Sequence, residues 1–417
     1  MFGKRWNTTP RWYMVAGNAP WSYPASSLAW SAFRYELKPI SLFVSDKENL
    51  NMTRRQMLAL AGSAPAWMVS TSSAAAPDFT RMGGTPTAFS IRSRAGGGGR
   101  GGAGRGGAAQ GAAPPAAPRP PFDIVEHCHN IGMGGVQIGG LPGTDAESIK
   151  QLRARVEGYN FHVVIDPRLP QPGGDLAAFD AQVKAIKEVG ATAMHAAMTN
   201  RRYEDFDSFA PWKQMFERNQ KTIEAVLPVL EKYKIPLAIE NHKGWRSPEQ
   251  AAWMKRLSSE YVGVCLDFGN NVSLCEDPMD TLNNLLPYVV FAHIKDMGVL
   301  EYEDGFLLSE VRMGEGFLDL KGMVQILRKK NPNMIIDLEM ITRDPLKIPV
   351  YTTKYWGSFD DPSSPLPGRD LAKVLDRVRK SKKPLPSVAG LTPEQQLKAE
   401  DDNNNRCVAY AKQNLGL

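Results

Sequence analysis

Eight short apolar runs, rich in β-branched residues and each followed by a longer stretch with helical spacing, restrict this chain more than any other feature. The runs fall near residues 87–91, 135–138, 162–165, 192–197, 236–240, 262–267, 289–294 and 334–339. Helical patterns occupy 122–132, 144–157, 175–189, 207–233, 247–259, 279–286 and 319–330, and 369–380 supplies the eighth. Such alternation is the mark of βαβ units. Eight of them favour a closed parallel (β/α)8 TIM barrel over an open doubly wound sheet. No Gly-x-Gly-x-x-Gly follows a strand and opens a helix, which weakens a dinucleotide reading. Ser247, Asp175 and Thr144 are the expected helix caps, and Ser247 is followed by Pro248 and Glu249.

The flanks read differently. Thr53-Arg54-Arg55-Gln56-Met57-Leu58 opens a modest apolar stretch, and small residues including Ala74-Ala75-Ala76 follow it. This resembles a twin-arginine export signal over 52–77, which implies an exported, periplasmic protein. The stretch is too short and too rich in Ala and Gly for a membrane anchor. Residues 1–51 precede a plausible start at Met52 and are expected to be a non-native or disordered extension. The barrel is assigned to 78–386, with a flexible Gly/Ala/Pro-rich insertion at 95–121. A helical tail over 387–417 begins at Leu391-Thr392-Pro393-Glu394, where Thr caps and Pro takes the first helical position. It packs on the barrel exterior or mediates self-association into a homo-oligomer.

Charge narrows the partners. Residues 1–121 carry 14 Lys and Arg against 4 Asp and Glu, leaving 36 against 40 in 122–417. The barrel is thus mildly acidic, which argues against nucleic acid. The cysteines Cys128, Cys265, Cys275 and Cys407 lack paired ligand spacing, and Cys265 reads as core.

Barrel enzymes carry their chemistry at the C-terminal ends of the strands. Four consecutive strands end in Glu240-Asn241-His242, Asp267-Phe268-Gly269-Asn270, His293-Ile294-Lys295-Asp296 and Glu339-Met340. A lone acid there is usually a cap or an ion-pair partner. Three acids and one imidazole on neighbouring strands are costly together unless a cation joins them. Glu240, Asp267, His293 and Glu339 are therefore the expected ligands of one divalent metal ion. The oxygen-rich set favours Mn2+, with Mg2+, Co2+ or Zn2+ as alternatives.

Runs 238–242, 264–270, 292–296 and 337–340, with Gly314-Glu315-Gly316 and Asp319, resemble the xylose isomerase-like sugar isomerase/epimerase superfamily over roughly residues 85–385. The resemblance implies the same four ligands, and it implies that Glu240 and Glu339 also move protons at substrate carbons. A metal would polarise a substrate carbonyl, one carboxylate would take the adjacent proton, and the enediolate would be reprotonated. The expected activity is isomerisation or epimerisation of a non-phosphorylated sugar or keto-sugar. A lyase, dehydratase or glycoside-cleaving enzyme on an oxidised sugar is the alternative. An abasic-site nuclease shares the barrel, but it resembles a three-zinc site, and Asn270 stands where a further histidine is expected.

Substrate contacts are expected from His242, Lys295, Arg312, His195 and Asn270. Each has a plainer reading: His242 bonded to a nearby loop, Lys295 paired with an acid, Arg312 solvated, and His195 satisfied in the core. Asn270 positions the strand-six loop through its amide. His127 and His129 read as structural, and His162 lies at the far end of its strand. Trp245, Tyr203, Phe206 and Trp212 stack on sugar or pack under loops, and 351–359 forms a lid over the mouth.

Overall fold

The computed structural model describes residues 79–95, 121–361 and 365–417. The extension, the twin-arginine segment and all but the ends of the 95–121 insertion lie outside the described residues. Eight parallel strands close in the order β1-β10-β7-β6-β5-β4-β3-β2. They are β1 (Gly83–Gly84), β2 (Gly135–Ile138), β3 (His162–Ile165), β4 (Ala193–Ala196), β5 (Leu237–Glu240), β6 (Val262–Asp267), β7 (Val289–Ile294) and β10 (Ile336–Leu338). Helices α1 (Ser90–Ala95), α2 (Ile124–Asn130), α3 (Ala146–Gly158), α4 (Leu176–Val189), α5 (Arg202–Asp205) and α6 (Phe209–Tyr233) accompany the first half. The second half carries α7 (Ser247–Leu257), α8 (Pro278–Leu285), α9 (Leu320–Lys330), α10 (Thr353–Gly357), α11 (Gly368–Lys380) and α12 (Pro393–Tyr410).

Strands β4, β5 and β6 are buried at every position, as a sheet covered on both faces requires. Val164, Ala193, Ala238, Cys265 and Phe291 form one apolar cluster, separate from the larger core formed largely by strands and helices. Cys265 is fully buried, in line with its reading as core.

Three expectations are corrected. The first strand is Gly83–Gly84, not 87–91, which instead spans a 3-10 turn over Pro86–Phe89 and the start of α1. Thr85 caps that turn, accepting from the Ala88 amide, and Pro86 at its first position favours a helical start. Arg246 takes the cap position of α7, with Glu249 accepting its backbone N–H, while Ser247 donates its own backbone N–H to Glu276. Asp145, not Thr144, caps α3; Asp175 caps α4 as expected.

The segment after β7 is not a plain loop. Strands β8 (Asp296–Tyr302) and β9 (Gly305–Val311) form an antiparallel hairpin, and β11 (Leu346–Ile348) pairs with β9. Residues 351–359, expected as a lid, contain the short α10. Tyr355 there is fully buried, its hydroxyl donating to the Ser273 carbonyl at 2.8 Å, so it packs rather than swings free.

The tail helix α12 carries its Thr392 cap and Pro393 as read. It docks on the first βα connection: Glu400 accepts the amides of Ile91 and Arg92 at 2.7 and 2.9 Å, and Asn404 donates to the Ala88 carbonyl at 2.7 Å. No helix among the described residues is long and apolar enough to cross a membrane.

Candidate metal centre

Glu240, Asp267, His293 and Glu339 leave β5, β6, β7 and the end of β10, and register sets them side by side. Asp267 pairs in register with His293, and Asp337 with His293, which places Glu339 one step above. Each of the four offers a ligand atom within 4.8 Å of the other three, and all are buried. Two of their polar atoms, Asp267 Oδ1 and His293 Nδ1, are buried without a hydrogen-bond partner among the described residues. Such orphaned groups are expensive unless something binds them. Three carboxylates and an imidazole suit a hard divalent cation, so the residues present fit a metal.

A polar shell aims these groups. Gln137 accepts from His293 Nε2 at 2.7 Å, which fixes the tautomer and leaves Nδ1 with its lone pair. The Gln137 amide donates to Asp166 at 2.8 Å. Asn241 accepts the Asp267 amide at 2.6 Å and donates to its carbonyl at 3.0 Å, tying β5 to the end of β6. Asn270 donates to Glu240 Oε1 at 2.8 Å, and Thr87 donates to Glu339 Oε1 at 3.0 Å.

The expected contact residues separate into two groups. His195 joins the cluster: Nε2 lies 3.1 Å from Glu240, and Nδ1 lies 3.1 Å from Asp166. Burial opposes its charge, but Asp166 and Glu240 outweigh it and push the imidazole up to about 10. Lys295 is buried and donates to Asp267 at 2.7 Å, Glu339 at 2.8 Å and Asn270 Oδ1 at 3.1 Å, so its acid-pairing reading is the one observed. His242 is half-buried at the rim, its Nδ1 2.7 Å from the Thr199 carbonyl. Burial lowers it to about 4 despite Glu240.

Arg312 does not join them. It donates to Asn403 of α12 at 2.8 Å and lines a cavity of about 1010 Å3 with Glu315, Phe317 and the 380–386 segment. None of the four candidate ligands lines that cavity, although Met340, next to Glu339, does. The sequence offers no way to see this, because Arg312 is turned toward a tail 91 residues later.

The carboxylates do not titrate alike. Burial tends to raise all three, and it prevails at Asp267, with Glu339 and Glu240 adding to it. His242 and His195 hold Glu240 below its ordinary range against burial, and Lys295 does the same for Glu339.

Other sequence candidates are structural. His129 stacks on Tyr159 with ring centres 3.8 Å apart, and His127 meets Phe89 edge-on. Trp245, Tyr203 and Trp212 are buried, and Trp212 donates to the Gly244 carbonyl. The Gly314-Glu315-Gly316 turn is held by Asp296, which accepts the amides of Gly314, Gly316 and Leu318. A Cβ at Gly316 would lie 2.0 Å from Asp296 Oδ1, so only glycine fits there. Gln137, Asn241, Lys243 and Asp166 went unread in the sequence; of these, Gln137 signals itself as a polar residue inside an apolar strand.

A parallel barrel with an acid-and-imidazole cluster at the strand ends defines an α/β-barrel protein with a candidate metal centre. The chain belongs to the xylose isomerase-like TIM barrel family, whose model matches residues 125–356. It is 32% identical over 119 residues to 3-oxo-isoapionate decarboxylase of Pectobacterium atrosepticum, covering 28% of this chain and 43% of that protein. It is 21% identical over 219 residues to the Escherichia coli protein YihM, covering 49% of this chain and 61% of that one. The chain thus spans roughly half the length of these curated relatives. A solved D-psicose 3-epimerase is 14% identical, covering 70% of this chain and 93% of its own, with a TM-score of 0.46.

Proposed function

We propose that this chain is a divalent-metal-dependent isomerase or epimerase of a non-phosphorylated sugar or keto-sugar. The observation that carries the reading is the pair Glu240 and Glu339, two carboxylates held below their ordinary range and meeting in one buried cluster with an open imidazole nitrogen. Glu240, Asp267, His293 and Glu339 would hold a divalent cation, Mn2+ first among candidates, which would supply a Lewis acid for a substrate carbonyl. One glutamate takes the proton from the carbon next to the carbonyl, and the electron pair passes into the enediolate. Return of a proton to the neighbouring carbon isomerises; return to the opposite face epimerises. Hydrogen bonds from Asn270 and Thr87 hold the two glutamates in place. The twin-arginine segment supports an exported setting, where free sugars rather than sugar phosphates are met.

The identity to a decarboxylase favours a second reading on an oxidised sugar. There the bond from the α-carbon to a carboxylate breaks, carbon dioxide leaves, and the bonding pair enters the same enediolate before reprotonation. Incubating the metal-loaded protein with free sugars, 3-oxidised sugars and 3-oxo-sugar acids in D2O separates the two by mass. Deuterium next to the carbonyl without loss of a fragment supports isomerisation or epimerisation, and loss of carbon dioxide transfers the assignment to the second reading. Neither outcome on any sugar removes both.

A further inference from the structure

Lys243 is a buried ammonium with no carboxylate in ion-pair contact among the described residues. It sits three residues past Glu240, between β5 and α7, and is 2% exposed. Among the described residues its Nζ makes one hydrogen bond, to Asn270 Oδ1, and no ion pair. An ammonium has three donors, so two are unspent. Asn270 Oδ1 also accepts from Lys295, so two cations converge on one amide oxygen. Lys295 is compensated by Asp267 and Glu339. Another buried acid nearby, Glu310, is taken by Arg343, which grips both its oxygens at 2.6 and 3.1 Å. Burial, helped by Lys295 and Arg343, lowers Lys243 to about 8, the mark of a cation without an adequate partner.

Charge balance gives the consequence. With all four acids ionised, as a bound cation requires of its ligands, Glu240, Asp267, Glu339 and Glu310 bring four negative charges, and Lys243, Lys295 and Arg343 bring three positive ones. His195 and Asp166 bond each other and cancel. Adding a dication turns a deficit of one into an excess of one. A neutral sugar leaves that excess buried, which is costly; a single negative charge on the ligand removes it. A phosphate dianion would overshoot.

We propose that the substrate is a sugar acid or oxo-sugar acid whose carboxylate is received by Lys243 Nζ. This inference rests on the proton-transfer reading for its location, and it specifies the substrate class. Lys243 is then a specificity residue kept at some cost in stability.

The test is calorimetric titration of the Mn2+-loaded full chain with aldonates of four to six carbons and with their parent aldoses. At least one aldonate should bind roughly 10-fold or more tightly than its aldose. Lys243→Met should erase that preference at unchanged Mn2+ content, Lys243→Arg should keep much of it, and Lys243→Met should unfold at a higher temperature than the wild type. A lysine with a merely structural role would lower the unfolding temperature when replaced. Equal or better binding of aldoses, absence of aldonate binding, or a preference that survives in Lys243→Met overturns the proposal. If Lys243→Met does not fold, that destabilisation itself counts against it. Carboxylate preference without any deuterium exchange would sink the proposed reaction and leave this inference standing. Exchange on neutral sugars, unchanged in Lys243→Met, would do the reverse.

Discussion

Strand β10 and its end carry two inward-facing acids two residues apart, and the two ends of the barrel treat them in opposite ways. At the floor, Asp337 lies 2.6 Å from His162 Nε2. The pair fits because β1 and β2 are glycine where they pass it: a Cβ at Gly83 would lie 2.2 Å from Asp337 Oδ1, and one at Gly135 would lie 2.1 Å from the His162 ring. At the rim, Glu339 joins Glu240 and Asp267, and an imidazole nitrogen and a carboxylate oxygen are left open. One end matches an acid to a base from its own chain, with Asp337 Oδ2 alone left over. The other gathers more acid than the chain neutralises and leaves room for something brought in. Barrels use the first arrangement for stability and the second for chemistry.

The largest effects should therefore come from the rim. Glu240→Gln and Glu339→Gln each should lower deuterium exchange by about 10^3-fold, near the middle of the range for a lost acid or base. Full exchange in both variants would remove them as proton carriers. Asp267→Asn should chiefly lower metal occupancy, read by metal analysis after gel filtration. Gln137→Ala, which touches the cluster only through His293 and His195, should weaken metal affinity by roughly 10- to 100-fold. An unchanged affinity would mean that the His293 tautomer needs no outside support.

The floor should show the converse. His162→Ala leaves Asp337 buried without its partner, at a cost of roughly 2–3 kcal/mol in stability. Exchange per folded molecule should stay the same. A loss of turnover larger than the loss of folded protein would show that the two ends are coupled.

Legibility in the sequence follows the same division. The four candidate ligands could be read because each ends an apolar run, and an acid or imidazole at that point has few other uses. Strand β1 could not, because Gly83-Gly84 has no side-chain pattern; its place is set by the room that His162 and Asp337 need. The 87–91 run looks extended by composition, yet Thr85 and Pro86 turn it into helix. The β8–β9 hairpin carries a readable signal, Glu303-Asp304-Gly305 between two strand-like runs. Lys243 and Arg312 are different: both lie beyond strand ends, and what each side chain meets is decided by tertiary packing. Burial of one, and capture of the other by α12, are visible only in three dimensions.

Glu400 on the tail helix gives the smallest and most discriminating test, because it is a buried acid that receives amide donors from Ile91 and Arg92 and pairs with no cation among the described residues. Burial, only partly offset by those amides, raises it to about 7, whereas Lys295 holds Glu339 down at the rim. In the unfolded chain Glu400 releases its proton near 4.5. Between those values the folded protein binds more protons than the unfolded one, so stability falls as pH rises through the window. The loss should be on the order of 1 kcal/mol, complete by about pH 7, and visible as a shallow decline in Tm. Glu400→Gln, which keeps an acceptor oxygen without the charge, should flatten that decline and leave metal affinity untouched. A decline that persists in Glu400→Gln would move its origin to another raised acid, of which buried Glu276, also near 7, is the first to replace.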